Sequence, residues 1–450
     1  MIPSWNVSRD TAPRRHVLAA GLLLAGIALG ARAQAADKSA DVDELPRIVI
    51  TDPNRDLFRL GLPSAVGDAD LAGQATEIER RDLDLVGLFN LLKPESFPDA
   101  LNKEGLAFSA DSWATVGAQG VGKLRATRAS GGIVVEGRLY QVGRGDAPLL
   151  TKTYHGSELR PLVHAWANDV IAQFTGTPGV FGSRIAFAMT GRSAEVATLG
   201  MDGQEMQVVT QMKSPCLLPA FSPTGGQIAF NSFLRGGADL WVVSASGGRA
   251  HRISSKSGLN TGPAWFPGGS TLIATLSFEG NAELYKLSAS DGKVLARLTN
   301  TPAIDSSASV SPGGDQIAFV SDRQGTPQIF LMPSSGGSAR RLTFQGNYNQ
   351  TPVWSPRGDT IAFTARDERK VFDVFQVSPD SGVISRVTQD QGRTNEEPSY
   401  APNGRLLVFR TDRSGFAQLV VSDLKGDRQT VISGAKGADL MAPTWGPIAQ

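Results

Sequence analysis

The chain has one cysteine, Cys216, in 450 residues, so an internal disulfide is excluded and a small buried thiol beside the first full repeat is expected. Histidine is almost as scarce. His155, His164 and His251 are the three beyond the N-terminal region, they lie far apart, and neither His-Glu-x-x-His nor Cys-x-x-Cys occurs. The sequence therefore supplies no metal-ligand spacing. It also has no Gly-x-Ser-x-Gly elbow and no glycine-rich loop joining a strand to a helix, so no catalytic residue and no bound cofactor is expected. Charge is nearly balanced, with 44 Lys+Arg against 43 Asp+Glu, which leaves no basic footprint for nucleic acid. Long apolar runs are absent except at 17–29, which follows Arg14-Arg15 and precedes the small-residue pattern Ala33-Gln34-Ala35. That arrangement reads as a secretory signal peptide over 1–35 rather than a membrane span. Its removal takes away four arginines and one aspartate and moves the formal charge from +1 to −2.

Glycine and proline are plentiful, 50 and 26 residues, and they recur in register. Aligned on the proline before a glycine turn, the chain repeats at Pro223, Pro267, Pro312, Pro356, Pro402 and Pro447, at intervals of 44, 45, 44, 46 and 45. A period of about 40–50 residues built from short strands is the signature of a β-propeller with one four-stranded blade per repeat. In each copy an aromatic residue such as Trp265, Trp354 or Tyr400 ends an inner strand, and proline then stops the ladder. A second strand such as Ile361-Ala362-Phe363 follows, apolar on both faces as suits a sheet packed between two others. The last copy has almost no chain after it. The missing strands are upstream, at Ser183–Phe187, around the turn Asp202-Gly203, and at Val208-Val209-Thr210. Pairing them with the strand ending at Trp445 closes a ring of six blades.

Between the signal and the repeats, 36–46 reads as a flexible tail and 47–178 as a small α+β domain. Strands are expected at Arg47-Ile48-Val49-Ile50, 57–62, 132–142 and 149–155, and helices at 70–92, 112–121 and 159–174. Gly176-Thr177-Pro178-Gly179 stops the last helix, and the propeller is placed at 179–450. The fold class is thus a small α+β domain, a mixed sheet with two helices, followed by an all-β six-bladed propeller.

Strand alternation puts the connections from strand four to strand one, and from strand two to strand three, on one face of the ring. Charged pairs in the latter, Asp322-Arg323, Arg366-Asp367 and Asp412-Arg413, fit hairpin geometry and also fit a role in tying those loops together. The rim of that face carries Leu259, Asn260, Asp305, Ser306, Asn349, Gln350, Asn395 and Glu396, a mixed surface that suits a protein better than a small apolar ligand. Two carboxylates on it, Asp305 and Glu396, are the only candidates for an exported propeller enzyme such as a metal-dependent lactonase, and without a histidine they are a thin set.

With these residues in hand, the chain resembles the TolB family, the soluble periplasmic component of the Tol-Pal envelope system. The resemblance rests on Arg47-Ile48-Val49-Ile50, Gly87-Leu88-Phe89 with Leu92-Lys93-Pro94, Trp113 with Gly117-Ala118-Gln119, Arg138-Leu139-Tyr140, His164, Phe174-Thr175-Gly176, Arg184-Ile185-Ala186-Phe187 and the blade motifs. It implies a non-enzymatic, monomeric periplasmic adaptor that reaches the membranes only through its partners, supports outer-membrane integrity and envelope constriction at cell division, and is open to colicins or phage proteins. It also implies that the lipoprotein Pal docks beside Leu259, Asn260, Gly262, Ser306, Asn349, Gln350, Asn395 and Glu396. Inner-membrane TolA is expected on residues 36–56, with Ala36, Arg47, Ile48, Val49, Ile50 and Asp56 as markers. Two departures from the family pattern are a longer acidic stretch before Arg47 and Ala308 where the other blades have proline.

Overall fold

Six short antiparallel sheets, each of four strands, account for the repeated part of the chain. The computed structural model describes residues 57–190, 194–366, 369–389, 391, 394–434 and 438–448, and the expected signal peptide, tail and opening strand lie outside them. Cys216–Phe221, Gln227–Ser232, Asp239–Ser244 and His251–Ser254 form the first blade. The inner strands of the next four are Asn260–Trp265, Asp305–Val310, Asn349–Trp354 and Asn395–Tyr400. The sixth inner strand, Leu440–Ile448, pairs antiparallel with Ser183–Met189, with Trp445 opposite Ile185, so strands from both ends of the repeated part of the chain complete one blade.

Burial explains why the second strands read as apolar on both sides. Phe187, Phe230, Phe319, Phe363 and Phe409 are fully enclosed. Their clusters run from one blade into the next: Ala318 and Ile329 of the third pack with Trp354 and Ile361 of the fourth. Each such aromatic contributes about 2–3 kcal/mol by leaving water, and the total holds the ring without a disulfide.

The N-terminal part is a six-stranded mixed sheet, in the order Phe89–Leu91, Phe58–Gly61, Gly120–Ala129, Gly132–Gln141 and Leu150–Gly156, with Val66–Gly67 also on Gly120–Ala129. The helices Ala69–Leu85 and Leu159–Thr175 cover it, with Leu83, Phe89, Leu124, Val135, Trp166 and Phe174 in the shared core. Two expectations are corrected. The helix expected over 70–92 stops at Leu85: Gly87 takes a left-handed conformation (φ 67°), and Phe89 pairs with Phe58 in a parallel ladder instead. Leu85, Val86, Leu88 and Phe89 fit either period, so the apolar pattern could not mark the break. The helix expected over 112–121 is Ala110–Thr115, and the central strand Gly120–Ala129 follows it. Its alternation is hidden because small residues sit where neighbours press close. A Cβ on Gly122 would lie 2.8 Å from the Leu62 side chain.

The two parts meet at one end of the ring. Arg405, in the first turn of blade five, donates to the Thr175 carbonyl at 2.9 Å, and Arg428, after the last turn of that blade, pairs with Asp84 at 2.5 Å. Arg160 reaches Asp202 in the corresponding turn of blade six at 2.5 Å. The N-terminal domain thus covers blades five and six from the side opposite the loops that enter the inner strands. No helix among the described residues is long and apolar enough to cross a membrane.

Candidate functional site

The uncovered face is built by the expected pairing of loops. Asp322 accepts the Ile304 backbone N–H at 2.8 Å, Arg323 grips both oxygens of Asp305 at 3.0 and 2.9 Å, and Asp412 accepts the Thr394 N–H at 2.9 Å. Each bond ties a two-to-three loop to the segment entering the inner strand of the same blade. The charged turns at Asp322-Arg323 and Asp412 therefore perform the joining role, while Asp367 lies outside the described residues. Asp305 is fully buried and held by Arg323, which leaves the thin carboxylate set for an enzyme without one of its two members.

The rim positions divide into two classes. Asn260, Asn349 and Asn395 have no free surface. The Asn260 carbonyl oxygen accepts from Ser254 Oγ and Lys256 N, while its amide donates to the Lys256 and Gly258 carbonyls. Asn349 donates to Gln328 Oε1 at 2.8 Å, and the same oxygen accepts Thr343 at 2.8 Å. Asn395 donates to Asp373 Oδ1 at 2.9 Å, which also accepts Thr388 at 2.6 Å. Gln328 and Asp373 start the third strand of the preceding blade and Ser254 ends its fourth, so the side chains of these asparagines stitch each blade to the next. Leu259 is exposed, while Gly262, Ser306, Gln350 and Glu396 are half-buried around the channel mouth. Burial, aggravated by neighbouring Glu397, holds the Glu396 carboxyl above its usual range, and burial does the same for Glu397.

Each inner strand also carries a bulge that sequence reasoning missed. Leu218, Gly262, Ser307, Thr351, Glu397 and Ala442 all take positive φ, between 49° and 63°, where the ladder to the second strand slips. Five of these are not glycine, so the conformation is imposed by the fold. The next residue is Pro219, Pro263, Ala308, Pro352, Pro398 or Pro443, four before the turn proline each time. That recurring proline, which cannot donate to the ladder, was the available signal. The six bulges line a cavity of about 520 Å³ at the centre of the ring.

A second polar cluster lies at the seam between the domains. His164 Nδ1 is 2.6 Å from Asp82, and its Nε2 is 3.7 Å from Asp202, whose same oxygen takes Arg160 at 2.5 Å. Asp82, His164 and Asp202 are the one group among the described residues whose ligand atoms converge enough for a metal. Arg160 already brings a positive charge to this group, which makes it a polar seam joining helix Ala69–Leu85, helix Leu159–Thr175 and blade six. His164 is held between carboxylates from two domains. Burial pushes the Asp82 carboxyl up against the opposing pull of His164. Cys216 is buried as expected, and burial raises its thiol to about 11.

Comparison with known proteins adds the following. The family described as "TolB amino-terminal domain" matches residues 46–147, and "TolB beta propeller domain" matches 171–449. A protein of Anaeromyxobacter dehalogenans strain 2CP-C named "Tol-Pal system protein TolB" is 47% identical over 94% of this chain and 98% of its own length. One of the same name from Anaeromyxobacter sp. strain K is 48% identical over the same shares. Among solved structures, TolB from Acinetobacter baumannii superposes with a TM-score of 0.78 at 27% identity, over 87% of this chain and 97% of that one.

Proposed function

The chain belongs to the TolB family, and from that premise we propose that it is a periplasmic adaptor of the Tol-Pal system that binds Pal on the uncovered propeller face and TolA through residues 36–56. The observation that carries this reading is positional. The N-terminal domain packs on the opposite end of blades five and six, through Arg405, Arg428 and Arg160, and leaves the loops entering the inner strands open to a protein partner.

Binding, not turnover, is the work such a surface supports. Its recurrent asparagines are spent on stitching the blades, Asp305 is paired with Arg323, and Glu396 is half-buried. An extended segment ahead of the sheet can add backbone hydrogen bonds to a partner's strand edge, with side chains setting the register. Together the two attachments would link the outer-membrane lipoprotein to the inner-membrane protein and so support envelope integrity and constriction.

The test is affinity capture from detergent-solubilised envelopes with the exported chain as bait. Full-length bait is expected to retain both Pal and TolA, and bait lacking 36–56 to retain Pal and lose TolA. Capture of neither protein, or of TolA without that segment, contradicts the proposal.

A further inference from the structure

The gaps between neighbouring blades are not all filled in the same way. Five of them have an apolar cluster of their own, as between blades two and three, where Phe266 and Ile273 pack with Ile317 and Phe319. The cluster between blades five and six does not end at the ring. Leu406 and Leu419 of blade five and Ile185 and Leu199 of blade six share one core with Val170 and Phe174 of helix Leu159–Thr175. The apolar filling of this gap is therefore continuous with the core of the N-terminal domain.

The same gap lacks a tie that its neighbours have. The residue that opens each inner strand lies opposite the end of the second strand, and in blades two to six it is Asn260, Asp305, Asn349, Asn395 and Leu440. Asn260 takes Ser254, Asn349 reaches Gln328 and Asn395 reaches Asp373, each in the blade before it, and Asp305 takes Thr301 on the way from blade two. Leu440 has no polar group with which to do the same. Gln418 stands in blade five where Gln328 and Asp373 stand in theirs, and its buried Oε1 has no partner among the described residues. Such an oxygen has given up water without return. Nearer the axis the gap keeps an ordinary bond, Ser399 Oγ accepting Trp445 N at 2.9 Å as Ser309 accepts Trp354 N at 3.0 Å.

The N-terminal domain grips both sides of this gap from the other end. Arg405 and Arg428 join blade five to it, and its Arg160 reaches Asp202 of blade six. Asn168 in helix Leu159–Thr175 accepts the Phe181 N–H at 3.0 Å and donates to the Phe181 carbonyl at 2.9 Å. Two residues on, Ser183 opens the second strand of blade six and accepts Trp445 Nε1 at 2.8 Å. The helix thereby fixes the strand on which Leu440–Ile448 docks. We propose that the N-terminal domain is the clasp of the ring. It holds blade six against blade five where the entry tie is lacking, so the joint between Ser183–Met189 and Leu440–Ile448 opens together with this domain and before the other blades. The clasp is a property of the chain alone and does not depend on which partner the open face binds.

Native-state hydrogen exchange of the full chain at rising denaturant concentration reads the order of opening and needs no variant. Amides of Ser183–Met189 and Leu440–Ile448 are expected to lose protection together with helix Leu159–Thr175, at a lower concentration than Gln227–Ser232, Thr271–Leu276 and Gln316–Ser321 in blades one to three. Asn168→Ala should speed exchange at the joint roughly tenfold and leave those three strands within about twofold of the parent. Asn349→Ala, which cuts the tie between blades three and four, should leave the joint within about twofold. A helix that exchanges while the joint stays as protected as blades one to three overturns the clasp. So does an Asn168→Ala effect that is spread evenly over the six blades or confined to the N-terminal domain, or a joint that Asn349→Ala loosens as much.

Discussion

Glu79 shows how much one side chain can store. It is wholly buried, accepts Trp166 Nε1 at 2.7 Å on one oxygen, and has no hydrogen-bond partner for the other. Burial pushes its carboxyl from 4.5 up to about 7, against the smaller opposing pull of Trp166 and Arg80. The raised value means the folded state holds a proton that the unfolded chain has released. The associated stability is fully present below about pH 4.5 and is lost as pH rises through about 7. Glu79→Gln removes this dependence. The stability difference between variant and parent should swing in the variant's favour by about 2–3 kcal/mol from pH 5 to pH 8, measured by denaturant unfolding at each pH. A difference that stays flat with pH contradicts the assignment. Nothing in the sequence around Glu79 announced a buried carboxyl, because its surroundings come from Trp166, far along the chain.

At the scale of elements, the stitches between blades explain which rim residues the sequence could and could not interpret. Asn260, Asp305, Asn349 and Asn395 each stand five positions before the end of an inner strand, and a feature that recurs with the repeat serves the repeat. Their position on the face was legible from strand alternation, whereas the burial of Asn349 and Asn395 depended on the third strand of the preceding blade. Asn349→Ala should therefore cost stability, about 1–3 kcal/mol, because Gln328 and the Gln345 carbonyl lose a buried donor. Chemical denaturation checks this, and an unchanged midpoint contradicts the stitching role. Strand and helix types were readable where period and length agreed, as in Leu159–Thr175 with its left-handed Gly176 cap. Phe89–Leu91 was misread as helix and Gly120–Ala129 was missed, because short apolar runs and close glycines suit either structure.

For the whole molecule, the six-fold ring was legible because one proline-glycine turn recurs at nearly constant spacing, and closure followed from the missing strands of the last copy. The placement of the N-terminal domain was not, because it depends on single contacts such as Arg428 with Asp84 and Arg160 with Asp202 that share no period. That placement decides which end of the ring remains open, and the functional account depends on it. Hydrogen exchange of the chain with and without the soluble part of Pal tests it most directly. The account predicts slowed exchange in the loops entering the inner strands and in the two-to-three loops, with the first-turn segments around Pro223, Pro267 and Pro312 unchanged. Protection confined to those turns, at the end where the N-terminal domain packs, would contradict it.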